Sequence, residues 1–255
     1  MSDYSTPQAI ILAAGKGTRM GGDLPKVVYE VAGEPMVRHV VRACREAGVS
    51  RSIIVVGYKA DLVRSVLADE PDVVFVEQTE QLGTGHATQM AAPLFENQPA
   101  TDVFVLAGDG PLIQGRTLAR VLEMHRRSRA AATLATAVLD DPTGYGRIIR
   151  NADGSFAGIV EQKDATPEQL AIREVNPSYY CFRSDALFAS LAHVRNDNAQ
   201  GEYYLTDVPG LLKRQGHVVT VVEAVPPQDV LSINTPQQLA EVDAILRTRL
   251  RAVRR

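Results

Sequence analysis

Short apolar runs alternate with amphipathic stretches through the first 140 residues. Residues 10–14, 53–56, 73–76, 103–107 and 132–138 are apolar runs of the length expected for buried strands. Between them, Val37, Val40, Val41 and Cys44 fall at i, i+3, i+4 and i+7. That spacing predicts a helix over 36–47, closed by Gly48. Further helices are expected over 60–67, 86–95 (where Pro93 shortens it) and 118–125. Strand–helix alternation of this kind predicts a parallel sheet covered on both faces. Right-handed crossovers then gather the loops at the strands' C-terminal ends along one edge, where open α/β sheets bind ligands.

The pattern changes after residue 140. Two runs, 144–149 and 156–161, flank Asn151-Ala152-Asp153-Gly154, and Asp-Gly between such runs signals a hairpin. A strand over 175–182 follows, then a helix over 186–192, a polar loop over 196–201 and a helix over 205–214. A strand over 218–225 and a helix from Pro236 to about Arg251 complete the chain, with proline in the first helical turn. There is no Pro/Ser-rich linker and no internal repeat, hexapeptide or otherwise. One globular unit is expected.

The bulk numbers remove several function classes. The 255 residues are 45% hydrophobic and 22% charged, with 27 basic against 30 acidic side chains and a net charge of −3. Nothing here suggests a surface for nucleic acid or an anionic membrane. The absence of tryptophan argues against base-stacking platforms. The arginines at 247, 249, 251, 254 and 255 suit a solvated helix C-terminus. Cys44 and Cys181, without histidine at metal spacing, read as buried core thiols. With neither a leader pattern nor a membrane-length apolar run, a cytoplasmic location is expected.

Three stretches carry candidate chemistry. The first strand empties into Gly15-Lys16-Gly17-Thr18-Arg19-Met20, followed by Leu24-Pro25-Lys26. Glycines let backbone N–H groups approach anionic oxygens, and Arg19 and Lys26 add positive charge at two reaches. Met20 stands where a dinucleotide fingerprint needs its third glycine, and no glycine leads into Lys-Ser or Lys-Thr at ATPase spacing. The loop therefore suits a nucleotide's phosphates, with an ordinary Gly-rich turn as the alternative. Asp109 is placed at the tip of the 103–107 strand, on the same sheet edge. A carboxylate facing a phosphate loop is suited to Mg2+, which takes one or two carboxylates plus substrate phosphates; a turn or helix cap is the alternative. Gln81-Leu82-Gly83-Thr84-Gly85-His86 offers backbone and hydroxyl groups at a helix start, with His86 a helix-start residue rather than a base.

Six motifs in order give a resemblance covering residues 10–244. They are Leu12-Ala13-Ala14-Gly15-x-Gly17-Thr18-Arg19-Met20 with Leu24-Pro25-Lys26; Glu80-Gln81-Leu82-Gly83-Thr84-Gly85-His86-Ala87; Gly108-Asp109-x-Pro111-Leu112; Asp140-Asp141-Pro142-Thr143-Gly144-Tyr145-Gly146-Arg147; Ile159-Val160-Glu161-x-Lys163-Asp164-Ala165; and Asn198-Ala199-Gln200-Gly201-Glu202-Tyr203-Tyr204-Leu205-Thr206-Asp207. Together they resemble the uridylyltransferase domain of bacterial UDP-N-acetylglucosamine pyrophosphorylases, within the sugar-nucleotidyltransferases.

The resemblance implies a Rossmann-like α/β fold: a mixed, mostly parallel sheet with helices on both faces and an inserted sugar-binding lobe. It implies a nucleotide-binding half over about 1–140, a sugar-binding half over about 141–235 and a C-terminal helix over 236–255. It further implies that Gly15, Arg19 and Lys26 hold the triphosphate of UTP, with Arg19 and Lys26 catalytic. Ala13, Ala14, Gln78, Gly83 and Thr84 would surround uracil and ribose. Asp109 and Asn234 would ligate Mg2+, and Gly146, Glu161, Asn176 and Thr206 would meet the sugar. The implied reaction joins UTP and N-acetylglucosamine 1-phosphate, releasing pyrophosphate.

Ser232-Ile233-Asn234-Thr235-Pro236 also reads as a helix start, with Thr235 free to cap while Asn234 serves a metal. Two departures bear on the sugar. The family usually has Tyr-Gly-Asp-Val at Ala107-Gly108-Asp109-Gly110, and Thr-Gly after the sugar-facing asparagine, where this chain has Pro177-Ser178. Another sugar 1-phosphate (glucose or glucosamine), dTTP in place of UTP, or a non-catalytic sugar-nucleotide sensor remain alternatives. The family's left-handed β-helix acetyltransferase domain is absent from the sequence, so neither acetyl transfer nor trimerisation through it is expected. The oligomeric state is left open.

Overall fold

The computed structural model describes residues 6–17 and 20–253. The elements are β1 (Gln8–Ala13), β2 (Glu30–Val31), β3 (Glu34–Pro35), α1 (Met36–Glu46), β4 (Arg51–Val56), α2 (Ala60–Ser65), β5 (Val73–Glu77), α3 (Thr84–Gln89), β6 (Asp102–Ala107) and α4 (Gly115–Ser128). They continue with β7 (Ala132–Val138), β8 (Gly146–Arg150), β9 (Phe156–Val160), α5 (Pro167–Leu170), β10 (Glu174–Asn176), β11 (Tyr179–Arg183), α6 (Ser184–Leu191), α7 (Asp207–Arg214), β12 (Val219–Glu223) and α8 (Pro236–Val253).

A 10-stranded sheet runs β5-β4-β1-β6-β11-β7-β10-β8-β9, with β12 pairing on β7. The strands of the first half, β5, β4, β1 and β6, pair in parallel, as their continuous apolar runs predict. From β11 to β9 the path is antiparallel, and only β12 returns parallel to β7. The fold is thus the Rossmann-like mixed sheet. Two apolar layers cover it. On one face Ile11, Ala13, Ile54, Phe104 and Leu106 pack with Val37, Val40, Val41 and Cys44 of α1 and Leu118 and Val121 of α4. On the other, Ile10, Ile53, Val103 and Val105 pack with Leu187 of α6 and Val208 and Leu212 of α7. Cys44 and Cys181 are both buried free thiols, pushed above the usual thiol range by desolvation.

The expected strand over 175–182 is in fact two strands. Pro177 has no N–H to donate, and Ser178 adopts a left-handed φ of +63°. From Val175 to Tyr180 the chain advances five positions while its partner β7 advances three, from Ala137 to Leu134. That two-residue excess is a bulge-like interruption. Beyond β7, β10 pairs with β8 through Asn176↔Gly146, whereas β11 pairs with β6 through Tyr179↔Leu106. The sheet therefore forks at Pro177-Ser178.

Two helices are also shorter than the sequence pattern suggests. The one expected over 86–95 begins at Thr84 and stops at Gln89, with a 3-10 turn at Ala92–Leu94 around Pro93. The one expected from 205 begins at Asp207. Among the described residues no helix is long and apolar enough to cross a membrane.

The last helix straps the glycine loop to the body. Val242 and Leu246 of α8, with Ile233 before it, form a satellite core with Met20, Val31, Met36 and Leu112. Met20, the residue in place of a third glycine, thus ties down the loop's end. Its N–H also donates to the Gly17 carbonyl (3.0 Å). A buried carboxylate holds the far end of the strap: Asp229, 1% exposed, accepts hydrogen bonds from Arg249 Nη2 and Gln114 Nε2. Replacing it leaves a half-buried guanidinium short of its partner. Asp229→Ala is expected to lower the unfolding free energy by about 2 kcal/mol, measured by urea denaturation; an unchanged midpoint would show that the apolar contacts of α8 suffice.

Candidate active site

The C-terminal ends of β1 and β6 lie side by side, with Leu12 opposite Ala107, so both tips open on one sheet edge. A cavity of about 400 Å³ lies there, lined by Ala13, Ala14, Gly15, Gly17, Lys26, Gln78, Gly83, Thr84, Asp109, Glu161 and Thr206, among others. A second of about 210 Å³ is lined by Asp109, Tyr145, Gly146, Glu161, Asn176 and Ser178. The two share Ala107, Asp109, Glu161 and Ser178, so they adjoin in the fork of the sheet. All the site residues expected from sequence line one or the other cavity except Asn234, which is tied to them through Lys26, and Arg19, which lies outside the described residues.

Lys26 is the central cation. Its ammonium donates to Asp109 Oδ2 and to Asn234 Oδ1 (2.7 Å). Gly17 makes room for it: at φ +66°, a Cβ there would lie 2.7 Å from Lys26 Cβ. Asn234 is delivered by the start of α8. Thr235 Oγ1 accepts from the Gln238 N–H (3.2 Å), and Gln238 Oε1 accepts from the Asn234 N–H (2.8 Å). These two bonds cap the Gln238 N–H in the first turn of α8 and hold the Asn234 backbone, leaving the Asn234 amide oxygen facing Lys26. Thr235 is the cap and Asn234 the cavity-side group. Asp109 Oδ2 and Asn234 Oδ1 are hard oxygen donors that converge on the Lys26 ammonium, and with that ammonium turned onto phosphate oxygens the pair is a donor set that fits Mg2+. Among the described residues, no cluster of three or more His, Cys, Asp or Glu side chains offers a closed metal cage.

The larger cavity's far wall is a segment locked by its own hydrogen bonds. Gly85 N–H donates to the Tyr203 carbonyl (2.7 Å), and Tyr203 N–H donates to Leu82 (2.8 Å). Side chains at 83 and 85 are excluded, since a Cβ would come 2.7 Å and 2.9 Å from the Tyr203 oxygen. Gln78 Nε2 donates to the Gly83 carbonyl (3.1 Å) and to His86 Nδ1 (3.0 Å). The Thr84 hydroxyl accepts from the Leu205 N–H (3.0 Å). These two groups, expected from sequence to face a ligand, therefore also serve as internal braces. The Ala14 carbonyl already accepts from Tyr58 N–H (3.0 Å) and Gln81 Nε2 (2.9 Å), which fills both its lone pairs.

In the smaller cavity, Gly146 keeps the wall low: a Cβ would lie 3.2 Å from Ile159 Cγ2 and 3.6 Å from Glu161 Oε1. Burial pushes the Glu161 carboxyl above the usual range, the Thr206 hydroxyl partly opposes this, and Asp164, Asp207 and Glu202 reinforce it. Asn176 is buried, with its amide bonded to Tyr180 and to the Ser178 N–H. Sequence reasoning left Gln81, Ser178, Tyr180 and Glu202 off the site. Gln81 and Glu202 lay within motifs already singled out, and Ser178 within a noted departure; only Tyr180 carried no signal beyond strand pattern.

Residues 9–209 match the family model described as the MobA-like NTP transferase domain. The chain belongs to this family. Relatives include the bifunctional protein GlmU of Brevibacillus brevis, 47% identical over 242 residues, and that of Heliobacterium modesticaldum, 48% identical over 243. Each alignment covers 95% of this chain and 52% of the relative, so the chain spans about half the length of these proteins. The fold is also that of a UDP-glucose pyrophosphorylase complexed with UDP-glucose (TM-score 0.77, 16% identity, 96% of this chain and 100% of the other). A chain described as a glucose-1-phosphate thymidylyltransferase from Bacillus anthracis, in complex with sucrose, shares it too (TM-score 0.75, 20% identity, 94% of each chain). This nucleotidyltransferase chain thus has two adjoining cavities at the strand tips, with a cation between two oxygen donors at their junction.

The raised Glu161 carboxyl makes a pH-dependent prediction. Its folded-state value lies above the unfolded one, so folding is favoured by protonation and this contribution fades as pH rises through the folded value. Glu161→Gln, neutral throughout, is expected to melt higher than the parent at pH 8. The gap should close below about pH 4, where the unfolded carboxyl is also protonated. Thermal melts across that range test this; a gap of constant size or opposite sign would refute it.

Proposed function

We propose that the chain is a Mg2+-dependent uridylyltransferase that joins UTP and N-acetylglucosamine 1-phosphate to give UDP-N-acetylglucosamine and pyrophosphate. The observation that carries this reading is the pair of adjoining cavities sharing Asp109, with the Lys26 ammonium bonded to both Asp109 and Asn234 there. The GlmU relatives support it, although the chain spans only half of them.

In this reading Gly83, Thr84 and Gln78 frame the uracil and ribose beside Ala13 and Ala14, while Gly15, Lys26 and Arg19 take the triphosphate. A Cβ at Gly15 would meet nothing within 4 Å, which is open space for phosphate oxygens. The sugar phosphate enters the smaller cavity between Gly146, Glu161, Asn176 and Thr206. A phosphate oxygen of the sugar attacks the α-phosphorus in line; the new P–O bond forms as the bond to the β-phosphate oxygen breaks, and pyrophosphate leaves. The nucleophile is already an anion, so no protein base is needed. Lys26 supplies a positive charge where negative charge accumulates, and the braced walls hold both phosphates in register. With the Lys26 ammonium turned from them onto the phosphates, Asp109 and Asn234 would hold Mg2+, which when bound would neutralise and orient the phosphates. Water-soluble phosphates as both substrates suit a cytoplasmic enzyme.

A second reading is favoured by Pro177-Ser178 in the smaller cavity: the same chemistry on another sugar 1-phosphate. Pyrophosphate release with Mg2+, screened over nucleoside triphosphates and sugar 1-phosphates, decides between them. UTP with N-acetylglucosamine 1-phosphate is expected to give the highest kcat/KM, and no turnover with any pair would overturn the enzymatic reading in favour of a sensor. Asp109→Ala is expected to lower kcat at least ~100-fold with an unchanged circular dichroism spectrum; near-normal rates would remove Asp109 from the chemistry.

A further inference from the structure

The break between β10 and β11 builds a polar clamp that spans the wall between the cavities. Asn176 Nδ2 donates to Tyr180 Oη (2.6 Å), and Asn176 Oδ1 accepts from the Ser178 N–H (3.2 Å). In an unbroken strand, alternate residues stand about 6.6 Å apart along one face. The left-handed turn at Ser178 lets these three groups meet.

The clamp fixes more than position. A backbone N–H is always a donor, so the amide oxygen of Asn176 must face Ser178 and its nitrogen must face Tyr180. An asparagine amide makes four hydrogen bonds; two are used here, leaving one N–H and one lone pair. Asn176 is 4% exposed and Tyr180 1%, so the clamp is held by burial. The Tyr180 ring is further held by stacking on Phe182, centroids 5.6 Å apart. Asn176 lines the smaller cavity, Tyr180 the larger and Ser178 both.

We propose that Tyr180 is a positioning residue that, together with the Ser178 N–H, orients the Asn176 amide toward the sugar-phosphate half-site, an inference that rests on the sugar reading of the smaller cavity. Tyr180→Phe removes one oxygen and keeps the ring. It is expected to raise KM for the sugar 1-phosphate about tenfold, with kcat and KM for UTP changing less than about twofold, a split that a purely structural role does not give. Hydrogen exchange of the Asn176 side-chain NH2, followed by 15N NMR and assigned through Asn176→Asp, reads the clamp without turnover and should quicken in Tyr180→Phe. Unchanged exchange in that variant overturns the clamp. Faster exchange with an unchanged sugar KM overturns its role in the half-site. If the parent turns over no pair, the catalytic reading fails and exchange alone decides the clamp.

Discussion

One ammonium group ties three remote parts of this chain together. Lys26 follows the glycine loop, Asp109 ends a central strand and Asn234 precedes the last helix, yet all three meet at one point. A carboxylate, an amide oxygen and a cation at the edge of a cavity need support, because each desolvated group that loses its partner is costly. Much of the surrounding structure supplies that support. Gly17 lacks a side chain so that Lys26 can pass, Met20 fastens the loop to a satellite core, and the Thr235–Gln238 cap fixes the backbone at Asn234.

The sheet divides the labour on either side of this point. Parallel strands present their tips together, which gives the larger cavity a rigid floor. Beyond β11 the path is antiparallel, and its connection to the first half runs through the interrupted strand at Pro177-Ser178. The fork separates strands that would otherwise lie flat against one another, and the smaller cavity occupies the gap.

The local elements were legible because their physics is local. Apolar runs, the 3.6-residue spacing in α1 and the Asp-Gly hairpin gave the sheet and its layers. The glycine loop and Asp109 were legible as candidate chemistry, since a strand tip flanked by glycine has few structural uses. Asn234 was not: nothing in its neighbourhood distinguishes a cavity-side amide from a helix cap, and it stands 208 residues from Lys26. Only resemblance to a family brought it in. The strand break was misread because Pro177 lies amid residues of strand character, and the pull of that pattern outweighed one missing N–H. The inward duties of Gln78 and Thr84 were invisible for a related reason, since a polar side chain at a cavity looks the same from sequence whether it faces a ligand or a neighbouring carbonyl.

The placement of Asn234 also sets an order of assembly. The chain leaves the ribosome from its N-terminus, so the glycine loop, Lys26 and the first parallel strands emerge well before the segment that carries Asn234. Until that segment arrives and its helix packs on Met20, Lys26 has Asp109 but not Asn234. Completion of the three-way contact is therefore a late event in biogenesis, and nascent chains halted before it would carry the floor of the larger cavity without its finished polar centre.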